Sequence, residues 1–341
     1  GVAFWIAIGV FDVSFGGKTE VPSVGILMMK NLGTENEEFW SSGMTADLIT
    51  KVAGAGLIRV APLKEIRNID SNLSIEEIAK LISTPKLFQL YVHNDKGLNR
   101  SLVDRCKEAN FDAMAVTVDT IVGGNRERDL YTGFTIPMKF RLKSMLSFAL
   151  HPRWAVNYLT HSKWELSNLK DHIEEGTSVM TNIGDYFTKM IDQSLDWKDA
   201  EEINKHWGKQ FALKGIMSVE DAKKAVDVGA SAIMISNHGG RQLDGSRAPF
   251  DQLAEIVDKV GDKIEVILDG GIRRGTHVLK ALALGAKACS FGKGYLFALS
   301  AGGQAGVESI LQKMKDEIRR NMILMGCKTI DDLNRSKVAY R

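Results

Sequence analysis

Short apolar runs alternate with helix-period segments along this sequence from about residue 85 onward. The runs fall at residues 87–92, 113–118, 211–214, 232–236, 266–269 and 288–292, and amphipathic stretches such as 219–228 and 276–284 separate several of them. Runs of about four to eight apolar residues have strand length, whereas apolar residues recurring every three to four positions mark one face of a helix. Strand–helix alternation makes successive strands parallel, because each helix carries the chain back across the sheet. Two further runs, at 21–27 and 56–61, raise the count to eight. Eight such units predict an α/β fold, a (β/α)8 TIM barrel, with an open doubly wound sheet as the alternative. The whole chain, 1–341, reads as one such domain.

Its 341 residues accommodate one barrel of about 250 residues with insertions. Hydrophobic residues make up 44% and charged residues 25%, a balance that argues against a disordered chain. A formal net charge of +2 is too small to imply a nucleic-acid partner. Cys106, Cys289 and Cys327 are odd in number and far apart. They build neither a disulfide framework nor a zinc pattern, so a cytoplasmic, reducing compartment and no metal are expected. No apolar run reaches the roughly 18 residues that span a bilayer. Residues 2–10 are apolar but lack a basic lead-in, and read as a core strand rather than a signal peptide. The chain opens on Gly1 rather than methionine, so sequence upstream of it is expected.

Residues 138–200 are too long for a simple connection and read as an inserted excursion. Between 138 and 170 there are six Lys or Arg residues and a single acid, Glu165. Leu142, Met145, Leu146, Ala149 and Leu150 recur at helix spacing, Arg141, Lys143, Ser144 and Ser147 take the other face, and Phe148, Trp154, Tyr158 and Trp164 add aromatics. Such a helix suits either of two settings: the surface of an anionic membrane, or the barrel mouth with its basic face in water.

Polar residues stand where strands should end. Lys214, His238, Asp269-Gly270-Gly271 and Gly292-Lys293 each close an apolar run. In a barrel those carboxyl ends converge on one face, where active sites are built. Asp269-Gly270-Gly271-Ile272-Arg273 has the makings of a phosphate site, since glycine lets the backbone approach an anion and arginine adds charge-assisted hydrogen bonds. Gly292-Lys293 follows one unit later, and late-strand loops of barrels often bind phosphate together. Either cluster alone would read as a turn.

The stretch Ser236-Asn237-His238-Gly239-Gly240-Arg241-Gln242 is harder to explain as a turn. It holds an imidazole where a ligand can reach it, and a free imidazole titrates near pH 6.5, close to the working range of a proton acceptor. Arg241 could grip a carboxylate bidentately. Thr117-Val118-Asp119 ends another strand with a carboxylate able to orient an imidazole, and Arg126 follows in a charge run that alone would read as solvated surface. Gln89 and Tyr91 alternate along one run, so their side chains share a face.

Together these residues resemble the FMN-dependent L-2-hydroxy-acid oxidases and dehydrogenases, the family of glycolate oxidase, flavin L-lactate dehydrogenase and mandelate dehydrogenase. The resemblance covers about residues 74–341, and the stretch 236–242 is the family's active-site signature. It implies FMN as cofactor and the same (β/α)8 barrel. It implies His238 as the base, Asp119 as stabiliser of its imidazolium, Arg126 and Arg241 as the pair that binds the substrate carboxylate, and Tyr91 near the substrate hydroxyl. Lys214 resembles the lysine beside flavin N1, and Gln89, Thr117 and Ser236 resemble polar contacts to the ring. Asp269, Gly270, Gly271, Ile272 and Arg273, with Gly292 and Lys293, resemble the ribityl and phosphate site. Lys293 stands where the family often has arginine, which keeps the charge and gives up the bidentate fork.

Residues 1–73 depart from the family pattern: its N-terminal active-site tyrosine, the Pro-Thr or Pro-Ala ending the first strand and the flavin-binding Ser or Thr of the next have no clear counterparts. The reaction implied is oxidation of a small 2-hydroxy acid, with L-lactate as the expected substrate. The basic insertion resembles the membrane-binding segment of the respiratory members, which favours a respiratory acceptor and peripheral contact with the inner membrane face through 138–170. A homo-oligomer is implied by the family resemblance alone. The alternatives are an oxygen-using oxidase, another FMN barrel, and a homologue that has lost catalysis.

Overall fold

The computed structural model describes residues 85–125 and 190–339 without interruption, together with 74–81, 142–152, the short pairs 23–24 and 59–60, and positions 127, 131, 156 and 168. Strands β1 (Ser23–Val24) and β2 (Arg59–Val60) come first, then helix α1 (Ile75–Leu81), β3 (Leu87–Tyr91) and α2 (Lys96–Glu108). Next are β4 (Ala113–Thr117), α3 (Leu142–Leu150), α4 (Trp197–Trp207), β5 (Gln210–Ile216) and α5 (Val219–Asp227). The chain continues through β6 (Ala232–Ile235), α6 (Pro249–Val260), β7 (Glu265–Asp269), α7 (Gly275–Ala283), β8 (Ala288–Ser290) and α8 (Lys293–Leu324), the last kinked at Gly302 and Gly303.

Strands β3 to β8 form one six-stranded sheet whose spatial order is the chain order, every neighbour parallel. β1 and β2 pair in parallel, Ser23 opposite Arg59. All eight expected runs contain a strand, the two weakest included, and this chain-order progression is that of the (β/α)8 barrel.

The alternation of side chains along each strand divides the interior in two. Met114, Val116, Leu213, Ile233, Ile235, Val266 and Leu268 point to the helices and belong to one large apolar core. The intervening residues Ala115, Ala212, Met234, Ile267 and Ala288 form a separate, smaller cluster on the opposite face. Three of those five are alanine, as a narrow barrel interior requires. Two positions further along each strand, the same face carries Thr117, Lys214, Ser236, Asp269 and Ser290, all buried. Strand periodicity thus sets a polar layer on an apolar floor, at the carboxyl ends of five strands.

The helices are fixed by local chemistry. Asp95 caps α2, accepting from the Leu98 amide at 3.0 Å, and Asp196 opens α4 with a capping box while Gly208, at φ +70°, closes it. Trp207 at the end of α4 is fully buried, and its indole N–H donates to the Gln210 carbonyl at 2.8 Å. Removing that side chain would cost about 3–5 kcal/mol.

In α3, the apolar residues Met145, Leu146 and Leu150 are 55%, 64% and 73% exposed. The described residues therefore leave the apolar face of this helix uncovered, contrary to a helix packed apolar-side-down on the barrel. Trp154, Tyr158 and Trp164 lie outside the described residues. Among the described residues no helix is long and apolar enough to cross a membrane. The three cysteines are free and buried. Burial pushes the Cys106 and Cys289 thiols up to about 12, which makes both inert.

Candidate active site

The polar layer is a connected network. Asp269 is fully buried, and its Oδ2 accepts from Ser236 Oγ at 2.7 Å and lies 3.1 Å from Lys214 Nζ. Lys214 Nζ also donates to Ser236 Oγ at 3.2 Å. The other carboxylate oxygen, Oδ1, accepts from Ser290 Oγ at 2.6 Å. A buried carboxylate and ammonium persist only when paired and hydrogen-bonded, and each is so held here. On the neighbouring strands Gln89 Nε2 donates to Thr117 Oγ1 at 2.7 Å and approaches the Tyr91 hydroxyl at 3.4 Å. Thr117 faces Lys214 across the β4–β5 register.

Just beyond β6 the backbone turns into the left-handed region at three successive residues, His238 (φ +57°), Gly239 (φ +70°) and Gly240 (φ +70°). Such a φ is uncommon for a residue with a side chain, and its strain is typical of positions held for function. The turn is tied down from within: the His238 amide donates to Ser236 Oγ at 3.1 Å, and the Gly240 amide donates to Asn237 Oδ1 at 3.0 Å.

The His238 imidazole is buried, with Nδ1 at 3.2 Å from Asp119 Oδ1 and 3.1 Å from Thr120 Oγ1. The Thr120 hydroxyl donates to the same Asp119 oxygen at 3.0 Å. The consistent assignment has Nδ1–H donating to the carboxylate, which leaves Nε2 as an acceptor. Burial pushes the Asp119 carboxyl up, but the His238 hydrogen bond and the Lys214 charge outweigh it, and its pKa lies below the usual value of 3.8. The carboxylate therefore persists beside the imidazole as a fixed negative charge.

Glycines at two contacts bring these loops together. A Cβ on Gly215, at φ +111°, would stand 2.6 Å from Asp119 Cβ, and one on Gly124 would overlap the Arg241 carbonyl oxygen. Gln242 Nε2 then donates to the carbonyls of Asp119 and Val122 at 3.2 and 2.8 Å, joining the β4 loop to the β6 loop.

A second cluster is cationic. Lys293, the first residue of α8, donates to the Gly239 carbonyl at 2.6 Å. Burial, then the charges of Arg241 and Arg273, hold its pKa below the usual lysine range. Three cations within each other's field favour an anion between them. Gly271, at φ +73°, has open space where a side chain would stand, and Gly270, at φ +105°, nearly so. Helices α7 and α8 begin close by in the chain, at Gly275 and Lys293, and helix N-termini favour phosphate.

Most of the expected site residues thus converge: Gln89, Tyr91, Thr117, Asp119, Lys214, Ser236, His238 and Asp269 in one connected region, and Arg241, Arg273 and Lys293 in the other. Gly292 caps α8. The Ile272 side chain is buried in the apolar core, so only its backbone can meet a ligand. Arg126 lies outside the described residues. Sequence reasoning missed Thr120, Gly215 and Ser290. The alternation Ala288, Ser290 along the last strand is a signal that could have found Ser290; the roles of Thr120 and Gly215 exist only in three dimensions.

Comparison with known proteins identifies the family. The model of the FMN-dependent dehydrogenase family matches residues 52–340, and the chain belongs to that family. Among its relatives, the L-lactate oxidase of Nostoc sp. is 40% identical over 270 residues, covering 78% of this chain and 68% of the relative. The L-lactate dehydrogenase of Xanthomonas campestris pv. campestris is 38% identical over 289 residues, covering 83% and 74%. Among solved structures, that of the monotopic membrane protein (S)-mandelate dehydrogenase superposes with a TM-score of 0.74 at 30% identity, covering 94% of this chain and 80% of that one. The cationic cluster and the side-chain-free approach at Gly270 and Gly271 fit the phosphate end of FMN, and the buried ammonium of Lys214 suits an electron-accepting ring.

Proposed function

We propose that this protein oxidises an L-2-hydroxy acid, most simply L-lactate, to the 2-keto acid, with His238 as the base. The observation that carries this reading is the part-buried Thr120–Asp119 pair that holds Nδ1 of the buried His238, next to a layer containing Lys214. L-Lactate is the substrate in the names of the two sequence relatives, which supports that choice.

In this reading Lys293, Arg273, Gly270 and Gly271 hold the phosphate end of FMN, and Gly292 and the Ile272 backbone complete that cradle. Gln89, Thr117, Ser236 and Lys214 meet its ring. When bound, FMN supplies the two-electron sink for the reaction. Arg241, with Arg126, orients the substrate carboxylate, and Tyr91 bonds its hydroxyl. His238 Nε2 then removes a proton from the substrate. The resulting imidazolium is stabilised by Asp119, whose carboxylate already accepts the Nδ1 proton and needs no reorganisation. Lys214 places positive charge where negative charge accumulates.

Electrons leave to a respiratory acceptor at a membrane. The uncovered apolar face of α3, set in a basic segment, has the chemistry of a helix lying in an anionic bilayer surface, and the monotopic mandelate dehydrogenase supports that reading. The chain is proposed to work as a homo-oligomer peripheral to the inner face of the membrane.

The test is anaerobic mixing of the purified yellow protein with L-lactate. Loss of the flavin's visible absorbance with L-lactate but not D-lactate is expected. A flavin-loaded protein that keeps its colour with every 2-hydroxy acid tried would overturn the proposal.

A further inference from the structure

Ser290 has no place in the chemistry described so far, yet it is bound into its centre. It is the last residue of β8, 4% exposed, and its hydroxyl donates to Asp269 Oδ1 at 2.6 Å. The other Asp269 oxygen is occupied by Ser236 Oγ and Lys214 Nζ, at 2.7 and 3.1 Å. One carboxylate with no solvent exposure is therefore divided between a neutral donor on one oxygen and the Lys214 ammonium on the other. Apolar residues lie around them: Ala288 and Ile267 occupy the same face one step down β8 and β7. In so dry a place a hydroxyl bond to a carboxylate oxygen is strong, and it draws negative charge towards the atom it binds. Whatever charge Ser290 holds at Oδ1 is not available at Oδ2 to neutralise Lys214. The hydroxyl also fixes the rotation of the carboxylate, and with it the separation of Oδ2 and Nζ.

We infer that Ser290 is a positioning residue that sets how much of the Lys214 positive charge reaches the bound flavin, by holding Asp269 through its Oδ1. The inference rests on the proposed placement of Lys214 against the flavin ring. Loss of the hydroxyl leaves the carboxylate to Ser236 and Lys214 alone, so Lys214 is more fully neutralised and reduced, anionic flavin is less favoured.

The experiment measures the reduction potential of the flavin in the holoenzyme by equilibration with a reference dye, for wild type and for Ser290→Ala, Ser290→Thr and Lys214→Met. Ser290→Ala should disfavour the reduced flavin about threefold to tenfold, a fall of about 15–30 mV for a two-electron couple. Ser290→Thr, which keeps the hydroxyl, should restore the wild-type value. Lys214→Met should lower the potential further than Ser290→Ala. A Ser290→Ala potential equal to wild type, or above it, overturns the inference even if the variant melts earlier, since lost stability alone does not move a potential. If Lys214→Met also leaves the potential unchanged, it is the placement of Lys214 that fails. Should Ser290→Ala not retain flavin, Ser290→Cys, a weaker donor, must give a potential below wild type, and a value equal to wild type overturns the inference.

Discussion

Gly215 gives the sharpest test of how the site is assembled. It sits at φ +111° on β5, next to Lys214, where β5 and β6 shift register. An alanine there meets two separable penalties. The backbone conformation alone costs a residue with a side chain about 1–3 kcal/mol. The new Cβ would also stand 2.6 Å from Asp119 Cβ and 2.8 Å from Cγ, against the roughly 4 Å of an ordinary apolar contact. Asp119 must therefore retreat by about 1 Å, and its 3.2 Å bond to His238 Nδ1 passes out of hydrogen-bonding range. Misplacement of that size costs about 10²-fold in rate. The assay is kcat/KM for L-lactate by dye reduction, with thermal unfolding of the same preparations. Gly208→Ala is the control: at φ +70° its Cβ meets nothing nearer than 3.9 Å, so it carries backbone strain without touching the site. Gly208→Ala should lose stability and keep its activity, whereas Gly215→Ala should lose both. A folded, flavin-loaded Gly215→Ala enzyme within threefold of wild-type kcat/KM would refute the packing argument.

Other outcomes follow from the same structure. Asp119→Asn keeps the shape of the imidazole's partner and removes its charge, so turnover should fall by about 10²–10⁴ with flavin still bound; kcat at saturating L-lactate is the readout. On α1, Glu76 is held at about 2, well below its usual 4.5, first by the hydrogen bond from Arg105. The pair's stabilisation is therefore full above pH 4.5 and is lost as pH falls through about 2. Because Glu76 is 36% exposed, solvent screening limits the contribution to less than about 1 kcal/mol. Glu76→Gln should accordingly lower the melting temperature slightly at pH 7, and the difference should shrink as the pH is lowered; an unchanged difference at pH 2.5 would count against the pairing. Leu146→Glu together with Leu150→Glu should weaken co-sedimentation with anionic phospholipid vesicles while leaving dye-linked turnover intact. Equal sedimentation of variant and wild type would remove α3 from the membrane contact.

The sequence carried much of this design in its periodicities. Runs of strand length found every strand among the described residues, and β4 to β8 were legible because parallel strands buried on both faces are apolar over most of their length. Period-two reasoning placed Gln89 with Tyr91, and the carboxyl ends of the apolar runs put Lys214 and Asp269 at strand ends, where the structure joins them into one layer. What was not legible depends on contacts between distant residues. Thr120 looks like any loop threonine until the fold sets it 3.1 Å from an imidazole 118 residues away. Gly215 reads as an ordinary glycine, and only the position of Asp119 makes it necessary. Ser290 was within reach, since Ala288 and Ser290 repeat the small-then-polar pattern of Ala115 and Thr117. For helix α3 the sequence is compatible with two settings, because amphipathicity reveals that an apolar face exists and not what it meets.

If His238 takes a proton from the substrate as electrons pass to FMN, the rate of flavin reduction depends on its imidazole. Stopped-flow mixing of His238→Ala with L-lactate under anaerobic conditions should give an intact flavin spectrum and a reduction rate at least about 10²-fold below wild type. Reduction at the wild-type rate in the flavin-loaded variant would rule out His238 as the base.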